Sequence, residues 1–161
     1  ARARREIPQE RLHRIDEQDS TDFDKALRHI EAPLILGVGF LGARLDHQLA
    51  ACNTLVRHAE ARVILTSRDS IVLLAPPSIV LDLAPGTVVS LFPLGAVEGV
   101  SDGLEWPIAG LSFYPDGVIG TSNRALGPVE MSFTAPKMLL ILPADCLDRV
   151  IEALGRTASH W

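Results

Sequence analysis

From residue 20 onward the apolar positions follow two different periods. Phe23, Ala26, Leu27 and Ile30 fall at i, i+3, i+4 and i+7, the stripe of a short helix. Thr21, with Asp24 three residues later, has the form of a capping box at its start. Pro33 closes that segment, and 34–38 is a continuous apolar run, as expected of a buried parallel strand. A second helix is predicted over 44–59, with Leu45, Leu49, Cys52, Leu55, Val56 and Ala59 as its buried stripe. Residues 62–67 read as a second strand. Helix, strand, helix, strand is the order of a doubly wound α/β unit.

After residue 67 the period shortens. Strand-like runs follow at 71–74, 79–83, 88–91, 97–100, 104–108, 111–114, 118–120, 129–133 and 138–142. Turn signals separate them at 84–86, 101–103, 115–117 and 126–128, a pattern that predicts a β-sandwich or barrel. A last amphipathic helix begins near 144, with Leu147, Val150, Ile151 and Leu154 on one face. The expected class is therefore α/β plus all-β: part of a doubly wound α/β domain over 1–68, then a β-sandwich with a C-terminal helix over 69–161. Two strands and two helices cannot cover both faces of a parallel sheet. The first unit thus reads as incomplete, to be finished by another chain or by strands preceding residue 1.

Composition narrows the partners. The 161 residues are 47% hydrophobic and 22% charged, with a formal charge of −5. A nucleic-acid footprint would need a basic face, which this balance does not suggest. The longest apolar stretch, 71–81, is broken by Pro76, Pro77 and Ser78 and is too short to span a bilayer. The two cysteines, Cys52 and Cys146, lack a CxxC partner, so buried thiols are expected rather than a disulfide or a zinc site. With no signal-peptide pattern, the expected location is cytoplasmic. His13, His29, His58 and His160 lack metal-ligand spacing, and His47 reads as a helix-surface residue. Trp106 is expected in the sandwich core, and Trp161 as a mobile end.

Two segments carry candidate chemistry. Ligands of α/β domains bind where strands end and helices begin, and Gly37 to Asp46 lies at such a place. Its glycines allow close backbone approach, a helix start favours phosphate, and Arg44 can grip phosphate with two hydrogen bonds. Asp46 can hold a divalent metal or accept a proton. The second segment, 16–22, is acidic and also ends at a helix start. Spacing alone leaves the plain readings open: a solvated Arg44–Asp46 pair, Thr21 as a cap, and Asp22 as a partner of the helix dipole.

Taken together, "QDSTDFDKAL", "GFLGARLDHQLA", "VSLFPLG…GLEWPI" and "GTSN" resemble thiamine pyrophosphokinases in order and spacing, from about Gln18 to Leu142. The resemblance implies an α/β nucleotide domain followed by a β-sandwich, and a homodimer formed through the sandwich. It implies Mg²⁺-dependent transfer of the pyrophosphoryl group of ATP to the hydroxyl of thiamine, with release of AMP. Gln18, Thr21 and Asp22 match the family's Q-x-x-T-D at the ATP site, with Asp22 also a metal ligand. Arg44 and Asp46 match G-R-x-D, facing the phosphates and the reactive end of thiamine as the catalytic pair. Ser122 and Asn123 match a thiamine-binding S-N near the dimer interface, where residues alone suggest a β-turn pair. The chain departs from the family in Ala43, where a second glycine is usual, and in lacking the upstream Gly-Asp-x-Asp-Ser whose aspartates bind the metal. The expectation is an enzyme whose 161 residues alone are inactive or weak. The alternative is a non-catalytic ligand-binding or dimerisation module derived from the same fold.

Overall fold

The computed structural model describes residues 8, 10, 19–42, 44–157 and 161. Three helices and nine strands follow one another: α1 (Asp22–His29), β1 (Ile35–Val38), α2 (Leu45–Arg57), β2 (Val63–Thr66), β3 (Ser70–Leu74), β4 (Ser78–Leu81), β5 (Val88–Pro93), β6 (Val97–Leu104), β7 (Ser112–Phe113), β8 (Gly120–Phe133), β9 (Met138–Pro143) and α3 (Leu147–Arg156). A short 3₁₀ turn, Ala144–Cys146, leads into α3.

All nine strands belong to one hydrogen-bonded network in the order β1-β2-β3-β9-β5-β8-β6-β7, with β4 on β8. β1 and β2 are parallel, and every other strand pairing is antiparallel. The sheet is thus mixed, and its ladder runs without a break from the parallel pair into the β-rich part through β2 and β3.

The three central strands explain this. β2, β3 and β9 read VILT, SIVLL and MLLILP, apolar at successive positions rather than at alternate ones. Side chains alternate across a strand, so a continuous apolar run needs cover on both faces. Val63, Leu65, Val72 and Leu139 pack with Phe23, Leu27, Ala51 and Leu55 under α1 and α2. Ile64, Ile71, Leu73, Leu140 and Leu142 point the other way, into a core shared with Val150 and Leu154 of α3 and with β4, β5, β6 and β8. Each Leu or Ile buried this way contributes about 1.5–3 kcal/mol.

Several sequence readings change. The turn signal at Leu126-Gly127-Pro128 lies inside β8, a strand of 14 residues. β8 pairs β5 through Arg124 and β4 from Val129 onward, so the stretch between them is where it passes from one partner to the other. Opposite it, the β6 register slips between Asp102 and Leu104. Residues 104–108 form no strand beyond Leu104, because β6 ends there. In α2 the stripe is shifted: Ala51, Thr54 and Leu55 are buried, whereas Leu45 and Leu49 are 67% and 59% exposed. The face turned to the sheet is the Ala51–Leu55 face, and the first turn of α2 projects past it. Trp106, expected in the core, is 55% exposed. Trp161 is pinned rather than loose: its indole N–H donates to the Ala75 carbonyl at 2.8 Å, and it packs on the core.

Candidate functional site

β1 and β2 run in parallel register from Ile35↔Val63 to Val38↔Thr66, so they end side by side. The loop leaving β1 contains Gly39, with φ +87, which suits a glycine. It delivers the chain to Arg44, which is extended (φ −95, ψ 111) and stands as the N-cap of α2. The cap makes no side-chain hydrogen bond, and the guanidinium turns to Asp46 instead. Arg44 Nε donates to Asp46 Oδ1 at 3.1 Å and Nη2 to Oδ2 at 2.5 Å, a two-pronged pair. Both side chains are about two-thirds exposed. The hydrogen bond from Arg44 holds the Asp46 carboxyl below its ordinary value, with slight burial acting against it and the His47 amide adding to the lowering. Gln48 braces the loop by donating its side-chain amide to the Gly42 carbonyl.

α1 presents the second candidate pair. Thr21 is its N-cap, and its hydroxyl accepts from the Asp24 amide at 3.2 Å. Half of the anticipated capping box therefore forms. Its other half does not, because the Asp24 carboxylate is drawn elsewhere. Asp22 is fully exposed, and its charged partner among the described residues is the Lys25 ammonium at 3.9 Å. Gln18 lies outside the described residues.

Asp24, which pattern reading assigned only to the cap, is a buried carboxylate, at 2% exposure. His58 Nε2 donates to its Oδ1 at 3.0 Å, since an ionised carboxylate only accepts. Arg57 lies 3.0 Å and Arg28 3.1 Å from its oxygens. The His58 hydrogen bond lowers the Asp24 carboxyl below the ordinary range. Burial opposes it, and the Arg57 and Arg28 charges add to the lowering. Arg28, four residues on, is the one partner with a local sequence signature. His58 and Arg57 meet Asp24 only through the packing of α1 on α2. The neighbouring Phe23 meets Phe40 of the glycine loop with ring centroids 4.3 Å apart. The first turn of α1 thus touches both the loop that precedes α2 and the residues that end it.

Ser122 and Asn123 sit elsewhere. They belong to β8, where the β5 register slips between Val89 and Leu91 and leaves Thr121 and Ser122 opposite Ser90. This is a β-bulge, not a β-turn. Ser122 has φ +64, rare for a residue with a Cβ, and its amide donates to Ser90 Oγ at 2.9 Å. Its own hydroxyl is exposed and makes no hydrogen bond among the described residues. The Asn123 side chain is buried and occupied. It accepts from the amides of Trp106 (3.2 Å) and Arg124 (2.8 Å) and donates to the Trp106 carbonyl at 2.7 Å. Asn123 therefore holds the Trp106 backbone while the indole stays open to solvent.

Gly37, Leu65, Val72, Ile141 and Ser90 form one continuous row across five strands, and Ser122 bonds to its last member. Five strand steps separate β1 from β8, roughly 24 Å at about 4.8 Å per step. The structure brings Arg44 and Asp46 together. It leaves Ser122 and Asn123 far along the same sheet.

The chain falls in the class of mixed α/β proteins in which a parallel strand pair merges into an antiparallel sheet. Solved structures share that fold. Thiamin pyrophosphokinase from Bacillus subtilis superposes with a TM-score of 0.67 at 20% identity, covering 80% of this chain and 64% of that one. The enzyme from Geobacillus thermodenitrificans gives 0.65 at 21% identity, covering 80% and 63%. Among curated relatives, thiamine pyrophosphokinase 1 of Arabidopsis thaliana is 30% identical over 128 residues, 68% of this chain and 48% of its own length. Thiamine pyrophosphokinase 1 of Oryza sativa is 31% identical over 123 residues, 66% and 47%. No protein-family model matches the chain. This chain belongs to the thiamine pyrophosphokinase family, and it spans about half the length of the curated relatives it matches.

Proposed function

We propose that the protein transfers the pyrophosphoryl group of ATP to the hydroxyl of thiamine in the presence of Mg²⁺, giving thiamine diphosphate and AMP. In this reading residues 1–68 form the C-terminal part of the nucleotide-binding domain, and 69–161 a β-sandwich that binds thiamine and dimerises. The observation that carries it is the exposed Arg44–Asp46 pair at the ends of two parallel strands, in a chain whose relatives are thiamine pyrophosphokinases.

The thiamine hydroxyl oxygen bonds to the β-phosphorus of ATP as the bond from that phosphorus to the α–β bridging oxygen breaks. AMP leaves with the bridging oxygen, and the hydroxyl proton is released. Such transfers depend mainly on positioning and charge neutralisation. Arg44 spends two of its five N–H donors on Asp46, and the remaining three are free to hold phosphate oxygens. Asp46, kept ionised by Arg44, is a weak base, so its role is to accept a hydrogen bond from the hydroxyl and aim it. Thr21, Asp22 and Gln18 serve the ATP end. Mg²⁺ is commonly held by one or two carboxylates together with substrate phosphates. Asp22, a fully exposed carboxylate at a helix start, fits such a partial donor set. When bound, the ion supplies charge neutralisation at the phosphates.

Ser122 and Asn123 serve the thiamine end, and the open Trp106 indole beside them offers a face for an aromatic ring. The separation of roughly 24 Å along the sheet is too long for one thiamine molecule to bridge within a protomer. It favours a homodimer in which the β8 region of one copy faces the Arg44 region of the other.

The alternative is a non-catalytic binding or dimerisation module derived from the same fold. Product analysis on the full-length protein with ATP, thiamine and Mg²⁺ separates the two. Equal amounts of AMP and thiamine diphosphate support the transferase, with Asp46→Asn lowering turnover by at least about 100-fold while folding is retained. Thiamine binding without product supports the module, and ADP as the product overturns the proposed reaction.

A further inference from the structure

We propose that Asp24 and His58 form a tether that positions the first turn of α1, and through it Thr21 and Asp22, for the nucleotide. The proposal rests on the reading of Thr21 and Asp22 given above.

α1 has only eight residues, too few to persist as a helix without tertiary support. Phe23 and Leu27 supply apolar burial. Apolar contact is non-directional, so it leaves the helix free to rotate and slide by small amounts on the sheet. The Asp24 carboxylate removes that freedom. It is buried, and three basic groups reach it from two helices: Arg28 on α1, and Arg57 and His58 at the end of α2. Glu60 lies 3.6 Å from the other His58 ring nitrogen and adds to the charged surroundings.

Residues two apart on a helix face different sides. Holding Asp24 inward therefore turns Asp22 outward, as its full exposure shows. The Thr21 hydroxyl is tied to the Asp24 amide, so the cap moves with the tether. Asp24 touches no candidate ligand position itself, and it acts through its two neighbours.

The test is equilibrium titration of the full-length protein with Mg²⁺ and a non-hydrolysable ATP analogue, and separately with thiamine. The variants are Asp24→Asn, His58→Gln, their double, and Asp22→Asn. Each tether variant is expected to weaken the nucleotide Kd by about 3–10-fold, with the double no worse than the poorer single. Thiamine affinity should change less than about twofold, since the tether acts on Thr21 and Asp22, which serve the ATP end alone in the reading above. A purely structural role lowers melting temperature and binding stoichiometry but leaves Kd unchanged in the folded fraction, and that result overturns the proposal. His58→Gln, altered at the helix end, carries the test if Asp24→Asn folds poorly. If Asp22→Asn weakens nucleotide binding while both tether variants do not, the tether alone is wrong. If Asp22→Asn has no effect, the reading of α1 is wrong and the tether falls with it.

Discussion

A carboxylate at 2% exposure stays ionised only if its surroundings favour the charge, and those of Asp24 do. Because its folded-state value is lowered, its contribution to stability is fully present above the unfolded-state value of about 4. It is lost as pH falls through the lowered folded-state value. Melting temperatures of the parent and of Asp24→Asn should therefore differ most above the ordinary carboxylate range and converge as pH falls below it. A gap that is constant with pH would show that the carboxylate's charge contributes nothing. Sequence reading found Thr21 and Asp24 as neighbours in a cap but not this role. Two of the three residues that claim Asp24, Arg57 and His58, lie more than thirty positions away, at the end of α2. Arg44 and Asp46 were easier to find, because they are two residues apart at a helix start and their pairing is local. Asn123 illustrates the opposite case. Its type and neighbours suggest a turn, and only the path of β6 and the following loop shows that its amide is committed to Trp106.

At the scale of elements, α1, α2 and α3 were legible because each has a helical stripe of three or more apolar positions, and β1, β2, β3 and β9 because they are unbroken apolar runs. The stripe of α2 was misjudged in its first turn, since periodicity marks apolar residues but not which neighbour covers them. β8 was split in two because Gly127-Pro128 has the composition of a turn and the function of a transfer point between strand partners. Opposite that point, Gly103 has φ +82, and a Cβ there would lie 2.1 Å from the Pro128 carbonyl oxygen. Gly110 has φ +80 but nothing within 4 Å. Gly103→Ala should cost about 2–4 kcal/mol and Gly110→Ala about 1 kcal/mol. In a chain of this length that corresponds to melting-temperature losses of roughly 5–15 °C and 2–4 °C. Equal losses for the two, measured by thermal denaturation, would mean that the strands separate easily there and that β6 and β8 do not constrain each other.

At the scale of the whole molecule, the decisive length is the one between the two halves of the proposed site. Sequence motifs give their order along the chain but not their spacing in three dimensions, and strand order supplies it. Arg44 and Asp46 follow β1, at one end of the order, while Ser122 lies on β8, five steps away. If two copies complete each other's sites about a two-fold axis, defects in different halves must complement. Asp46→Asn removes the aiming carboxylate. Ser122→Arg sets a cation against a cationic substrate at an exposed position. Each variant alone should be nearly inactive. Mixed in equal amounts and allowed to exchange subunits, half of the dimers become hybrids with one intact site and one doubly damaged site. Recovered activity should then approach about a quarter of the parent value, with light scattering reporting a dimer throughout. No recovery despite proven subunit exchange would place both halves of the site in one protomer. That outcome would require the sheet distance to be bridged by some other part of the protein, and it would remove the main reason for assigning thiamine to the β8 region of a partner copy.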